Sequence, residues 1–227
     1  VTINTATDWR GVVTVQITYS FAATDQHVLN YGFIEVNFDG IEIRDFPIDL
    51  EDHSISGSVS FDVYTADDND RYADGPHTIT IDAGVDTYNG VGVERLKLLE
   101  IENYTNKQIS INNKPSVTLT SNPDPWRGIT TLEMEYSFPS AAGTASMEVN
   151  LEGDYITQVL DIGLSLTQEN TGVVTATVDT TKNMWPPFRS QYFDGTQTVD
   201  IDTYMGSGSD KHHEYDNVSE TSIAINN

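Results

Sequence analysis

The chain repeats itself, and this restricts its fold more than any other property of the sequence. Trp9-Arg10-Gly11 returns as Trp126-Arg127-Gly128, and Tyr19-Ser20-Phe21 as Tyr136-Ser137-Phe138, both 117 positions later. Glu35-Val36-Asn37-Phe38-Asp39-Gly40 is matched by Glu148-Val149-Asn150-Leu151-Glu152-Gly153 at an offset of 113. The segment from Asp74 to Asp82 matches Asp194 to Asp202 at 120, and Ile111-Asn112-Asn113 matches Ile225-Asn226-Asn227 at 114. The order of the blocks is kept, and the offset changes only between them, where loops accept insertions. Two copies of one domain follow, over 1–114 and 115–227. Between them, Pro115 fixes its own φ and pushes Lys114 towards an extended conformation, so a stiff joint is expected.

Within each copy the periodicity is that of strands. Val12 to Phe21 alternates over Val13, Val15, Ile17 and Tyr19, and Ile129 to Phe138 over Leu132, Met134, Tyr136 and Phe138. Phe33 to Phe38 meets Ile41 to Ile43 across Asp39-Gly40, a pair that accepts the positive φ of a tight hairpin turn. Glu148 to Leu151 with Gly153 repeats the pattern. Ser56 to Val63 and Val173 to Val178 read as the next strands, then His77 to Ile81 and Gln197 to Ile201. Lys107 to Ile111 and Thr221 to Ile225 close the copies. Val93 to Ile101 reads equally as a helix or an edge strand. About seven short strands in roughly 114 residues, parted by turn residues, predict an all-β protein of two tandem immunoglobulin-like β-sandwich domains.

Charge narrows the partners. The chain holds 35 acids and 11 bases, a formal net charge of −24, and each half carries −12. Such a surface repels nucleic-acid phosphates and anionic headgroups and attracts cations. The acids serve either as a solvated face suited to high salt or as ligands for Ca²⁺. There is no cysteine, so packing, with or without metal, carries the stability. No apolar run approaches a membrane span of ~18 residues. A chain opening at Val1 fits a processed secreted protein and a piece of a longer one equally.

The restart Asn112-Asn113-Lys114-Pro115-Ser116-Val117, the Glu35–Gly40 strand and the Asp74–Ile81 strand together resemble the tandem Ig-like repeat domains of bacterial and archaeal cell-surface proteins, of S-layer, adhesin or pilus type. The resemblance covers nearly the whole chain twice, except segments 84–106 and 180–193. It implies a sandwich fold and an extracellular, cell-surface setting, and it says little about the task, because fold does not imply function.

Candidate sites are few. Asn103-Tyr104-Thr105 and Asn217-Val218-Ser219 are N-x-Ser/Thr sequons at matching places in the two copies, candidates for joint N-glycosylation or a duplicated turn residue. Both are expected to be exposed near the ends of their domains. Asp67-Asp68-Asn69-Asp70 could supply oxygen ligands to Ca²⁺, although the spacing is not that of an EF-hand. Asp45, Asp49, Glu51 and Asp52 form a looser acidic cluster. Lys211-His212-His213-Glu214 lacks the further ligands a zinc site needs. Trp9 and Trp126 read as packing caps or as platforms for sugar rings. Met184-Trp185-Pro186-Pro187-Phe188 has no counterpart in the first copy, and Trp185 and Phe188 read as an interface or as local packing.

No Gly-x-Ser-x-Gly, no His-Glu-x-x-His, no glycine-rich phosphate loop and no cysteine nucleophile occurs. Distinctive residues mostly come in duplicate, whereas a catalytic centre belongs in one place. The sequence therefore predicts a non-enzymatic extracellular structural protein that assembles with itself into an S-layer, pilus or filament. A stalk fragment of an adhesin and a carbohydrate-binding accessory module of a secreted enzyme are the alternatives.

Overall fold

The computed structural model describes residues 1–21, 30–50, 55–66, 72–88, 95–181, 194–207 and 210–227. They fall into two compact units, the first made of Val1–Trp9, Val13–Val63 and Ala73–Asn112, the second of Arg10–Val12, Tyr64–Tyr72 and Asn113–Asn227. Among the described residues the named elements are all strands, and no helix is long and apolar enough to cross a membrane.

In the first unit, β1 (Thr2–Asn4), β3 (Val12–Phe21) and β6 (Ile55–Tyr64) form one sheet in the order β1-β3-β6. The facing sheet runs β2-β8-β7-β4-β5, from β2 (Asp8–Trp9), β4 (Asn30–Phe38), β5 (Ile41–Leu50), β7 (Gly75–Tyr88) and β8 (Arg95–Ile111). The alternation read from the sequence decides which side chains turn inward. Val15 and Ile17 of β3 are buried with Ile34, Val36 and Phe38 of β4, Ile79 and Ile81 of β7, and Ile109 and Ile111 of β8. Between the sheets they make the core of a β-sandwich.

The second unit repeats the plan. One sheet is ordered β13-β10-β9, from β9 (Ser116–Ser121), β10 (Ile129–Phe138) and β13 (Asn170–Asp179). The other is β12-β11-β14-β15, from β11 (Thr144–Leu151), β12 (Asp154–Gly163), β14 (Gly195–Ser207) and β15 (Asp210–Ile225). Leu132, Met134 and Phe138 meet Met147, Val149, Ile201, Ile223 and Ile225 in one buried cluster.

The duplication reaches the level of single contacts. Asp39-Gly40 and Glu152-Gly153 all have positive φ, at 49°, 79°, 52° and 76°, so each hairpin turns on a left-handed pair. Tyr19 lies over Gly57 and Tyr136 over Gly172. A Cβ added at either glycine would come within 2.7 or 2.5 Å of the phenol oxygen, so glycine makes room for the ring. Trp9 and Trp126 occupy the same seat. Each joins the last strand of its copy in parallel, Trp9 to Ile111 and Trp126 to Ile225. Trp9 is 1% exposed and Trp126 0%. Their indoles donate to the Ala6 carbonyl at 3.1 Å and to Asn122 Oδ1 at 2.7 Å.

Two clasps follow the tryptophans. Gly11 and Gly128 adopt left-handed φ of 66° and 62°, which glycine accepts without steric cost. The Gly11 carbonyl takes both the N–H and the hydroxyl of Thr65, at 2.8 Å each. Asn113 completes the set, accepting from Gly11 N–H at 2.9 Å, sharing the single Thr65 hydroxyl proton, at 2.9 Å, with the Gly11 carbonyl, and donating to the Thr65 carbonyl at 2.8 Å. Gly128, Thr180 and Asn227 repeat every one of these bonds.

One position breaks the pattern at a cost. Thr203 points into the core where the first copy has Ala83, and its hydroxyl has no partner among the described residues. A buried hydroxyl left unpaired costs about 1–3 kcal/mol. Thr203→Val keeps the shape and removes the orphan, so it is expected to stabilise by about 1 kcal/mol, or roughly 4 °C in Tm for a domain of this size. A melting curve unchanged or lowered by the substitution would mean that the hydroxyl is paired.

Candidate functional site

The two sequons, read from sequence as domain-end features, lie mid-strand at matching irregularities. In the first unit Ile81 pairs with Thr105 and Ala83 with Ile101, so Asp82 of β7 faces three residues of β8 with Asn103 in the middle. In the second, Ile201 pairs with Ser219 and Thr203 with Tyr215, so Asp202 of β14 faces three residues of β15 with Asn217 in the middle. The extra residues form a bulge and stand outside the regular ladder. Asn217 has φ 51° and an exposed side chain. Asparagine adopts this left-handed conformation more readily than most residues, which gives Asn217 a structural role independent of modification.

In the second unit the bulge is held by the aspartate opposite. Asp202 Oδ1 accepts the Asn217 N–H at 2.8 Å, and its Oδ2 accepts Asn150 Nδ2 at 2.7 Å. Asn150, 5% exposed, also donates to Asp200 at 3.0 Å. In the first unit Asn37, likewise buried, donates to Asp82 at 2.9 Å. The Glu-Val-Asn block therefore does more than build a strand. Its asparagine steadies the carboxylate under the sequon, a link the sequence hid because the partners stand 45 and 52 residues apart.

The surrounding face is acidic. Across three neighbouring strands of the first unit Asp45 pairs with Glu35, and Glu35 with Asp82. In the second, Glu148 lies opposite Asp202 and Asp200 opposite Glu220. Like charges directly opposite weaken a sheet, and the amides of Asn37 and Asn150 offset part of this. So does Tyr204, whose hydroxyl donates to Glu148 at 2.9 Å. Burial first, then the bond to Glu148 and the negative field of Glu148, Glu214 and Asp202, push the Tyr204 phenol well above its ordinary pKa. It stays a donor at any physiological pH.

Among the described residues no three His, Asp or Glu side chains converge closely enough to hold a metal ion. Asp45 and Asp49 are separate, exposed positions of β5. His213 stacks on Tyr215 with ring centroids 6.5 Å apart. Asp67, Asp68, Asn69, Asp70, Trp185 and Phe188 lie outside the described residues, as do Glu51 and Asp52. The possibility that Trp9 and Trp126 are sugar platforms is overturned. Both indoles are core groups with no exposed face.

No protein-family model matches this chain, and no curated protein matches it. Among solved structures it is similar to the fibronectin(III)-like modules of Clostridium thermocellum CbhA, at 12% identity and a TM-score of 0.29, over 99% of this chain and 92% of that one. It is also similar to red sea bream transglutaminase, at 10% identity and a TM-score of 0.30, over 99% of this chain and 31% of that one.

Proposed function

We propose that this chain is a non-enzymatic extracellular structural protein, a subunit that assembles with itself into a surface layer, pilus or filament. The observation that carries the proposal is the depth of the duplication. Trp seats, Tyr–Gly contacts, hairpin turns, Gly–Thr–Asn clasps and Asn–Asp pairs are each built twice. All of them tie backbone to backbone or fill the core, as a scaffold requires. The burial of Trp9 and Trp126 removes the aromatic platform on which a carbohydrate-binding role would rest.

At a net charge of −24 subunits repel one another, and salt weakens that repulsion as the Debye length falls to ~8 Å or less. Divalent cations bridging carboxylates would reduce it further, with Asp67, Asp68, Asn69 and Asp70 as the proposed Ca²⁺ ligand set. Heterologous contacts that do not close propagate into filaments or lattices, and Trp185 and Phe188 are the proposed apolar contact.

Sedimentation of the intact chain across a Ca²⁺ series, with Na⁺ matched for ionic strength, tests this. Large species are expected to appear with Ca²⁺ and to diminish in Trp185→Ala. A chain that remains monomeric at high concentration in seawater-like salt and Ca²⁺ overturns the assembly proposal and favours the adhesin stalk.

A further inference from the structure

The geometry points to a pH-operated latch in the first unit, in which doubly protonated His77 pins the tip of the β4–β5 hairpin to the entry of β7. It stands apart from assembly and rests on the placement of one imidazole. His77 Nδ1 lies 2.6 Å from Asp39 Oδ2, and Nε2 lies 2.6 Å from the Ala73 carbonyl. A carbonyl oxygen has no proton to give, so Nε2 must donate. Asp39 faces the ring as a carboxylate, so Nδ1 must donate as well. Only the imidazolium carries both protons.

The surroundings suit that cation. The ring packs on Phe38 with centroids 4.8 Å apart. Asp39 sits at the hairpin turn with φ 49°, and its other oxygen accepts the Thr78 N–H at 2.8 Å. Asp39 N–H returns a bond to the Thr78 carbonyl at 2.9 Å. Among the described residues, the charged groups on the neighbouring elements are few. Asp39 comes from the turn, and Asp74 precedes β7 on the same segment. Asp8 of β2 pairs with Ser110, which pairs with Pro76. From β8 the residue opposite His77 is Ile109, and Lys107, two positions further, is bonded to the Thr5 carbonyl.

Burial raises the Asp39 carboxyl, but the hydrogen bonds from His77 and the Thr78 amide and the charge of His77 outweigh it and hold it below the usual carboxylate range. Its contribution is therefore present above the unfolded carboxylate value and is lost only as pH falls through the lowered one. The other limit is set by the imidazole, because the two contacts need both ring protons and loss of either one ends the arrangement. As pH rises, one nitrogen becomes a lone pair facing an oxygen at 2.6 Å, and one of the two ties must break. The latch is closed in mild acid and opens towards alkaline pH.

The second copy is the control. Gln197 stands where His77 does, and Glu152 replaces Asp39. Glu152 still accepts the Thr198 N–H at 2.6 Å, but no imidazole is present.

The test is NMR of the intact, isotope-labelled chain between pH 5.5 and 8.5. Both His77 ring nitrogens should be protonated at the acid end. As the ring titrates, the protection factor of the Thr78 amide should fall about tenfold, the scale of one charge-assisted hydrogen bond. The Thr198 amide in the same spectra should show no such step, and His77→Gln should abolish it at Thr78. A His77 ring singly protonated at pH 5.5, or a Thr78 protection factor that ignores the titration, overturns the latch. Both readouts use the native chain, so the proposal survives a variant that fails to fold.

Discussion

Trp126→Ala should remove about 3–5 kcal/mol from the stability of the second unit, the range for deleting a large buried aromatic side chain. The residue is fully buried, and its main chain bonds Ala224 and Asn226, at 2.7 and 3.0 Å. Truncation leaves those main-chain bonds in place but opens a cavity bordered by the core and strands the Asn122 side chain that received the indole proton. Domains of this size are stable by about 5–15 kcal/mol in all, so the loss is a large part of the total. Trp9→Ala should cost a similar amount in the first unit, where the indole meets Phe38 at 6.2 Å between centroids and donates to Ala6. Urea denaturation followed by near-ultraviolet circular dichroism measures both. A cost below about 1 kcal/mol at either position would mean that the indole is a surface group after all. A large inequality between the two would break the structural equivalence of the copies.

The tryptophans also show what a single sequence reveals. Their recurrence was visible, and so was the glycine two residues later, because a left-handed turn leaves a glycine behind wherever it is copied. Strands were legible where one face is buried and the other wet. The alternations over Val12–Phe21 and Ile129–Phe138 coincide with β3 and β10 to the residue. Segment 84–106 defeated the same method. There β7 and β8 stay paired antiparallel beyond the bulge opposite Asp82, held by main-chain bonds that ask for no alternation of side chains. Val93 to Ile101, ambiguous in sequence, belongs in its described part, from Arg95 on, to β8 and pairs with β7. The sequons were found but misplaced, because a bulge has no signature apart from residues that tolerate it. The Asn37–Asp82 and Asn150–Asp202 pairs and the imidazole latch were missed for another reason. Each joins distant strands, and hydrogen-bonding residues carry no mark of the partner they will meet.

Asn113 is the clearest case of such a hidden partner, and replacing it should have the second large effect. Its side chain is fully buried and makes three bonds, from Gly11 N–H, from Thr65 Oγ1 and to the Thr65 carbonyl. Thr65, also fully buried, keeps its bonds to the Gly11 carbonyl in any variant. Asn113→Ala would leave a buried N–H and a buried C=O unsatisfied, each at a cost of about 1–3 kcal/mol, so the total expected is about 2–4 kcal/mol after relaxation. Asn113→Asp separates the donor role from the acceptor role. A carboxylate can still receive Gly11 N–H and Thr65 Oγ1, but it turns a negative oxygen towards the Thr65 carbonyl and buries a charge. At neutral pH it should be no better than alanine. As the pH falls and the carboxyl protonates, it regains a donor and should recover part of the loss. Asn227 makes the same contacts from an exposed position, where water can replace it. Asn227→Ala should therefore cost about 1 kcal/mol or less. Chemical denaturation of the three variants at pH 7 and pH 5 checks the ranking. An Asn113→Ala loss no larger than that of Asn227→Ala would show that geometry without burial explains the clasp, and that its repetition says nothing about where the stability of this chain resides.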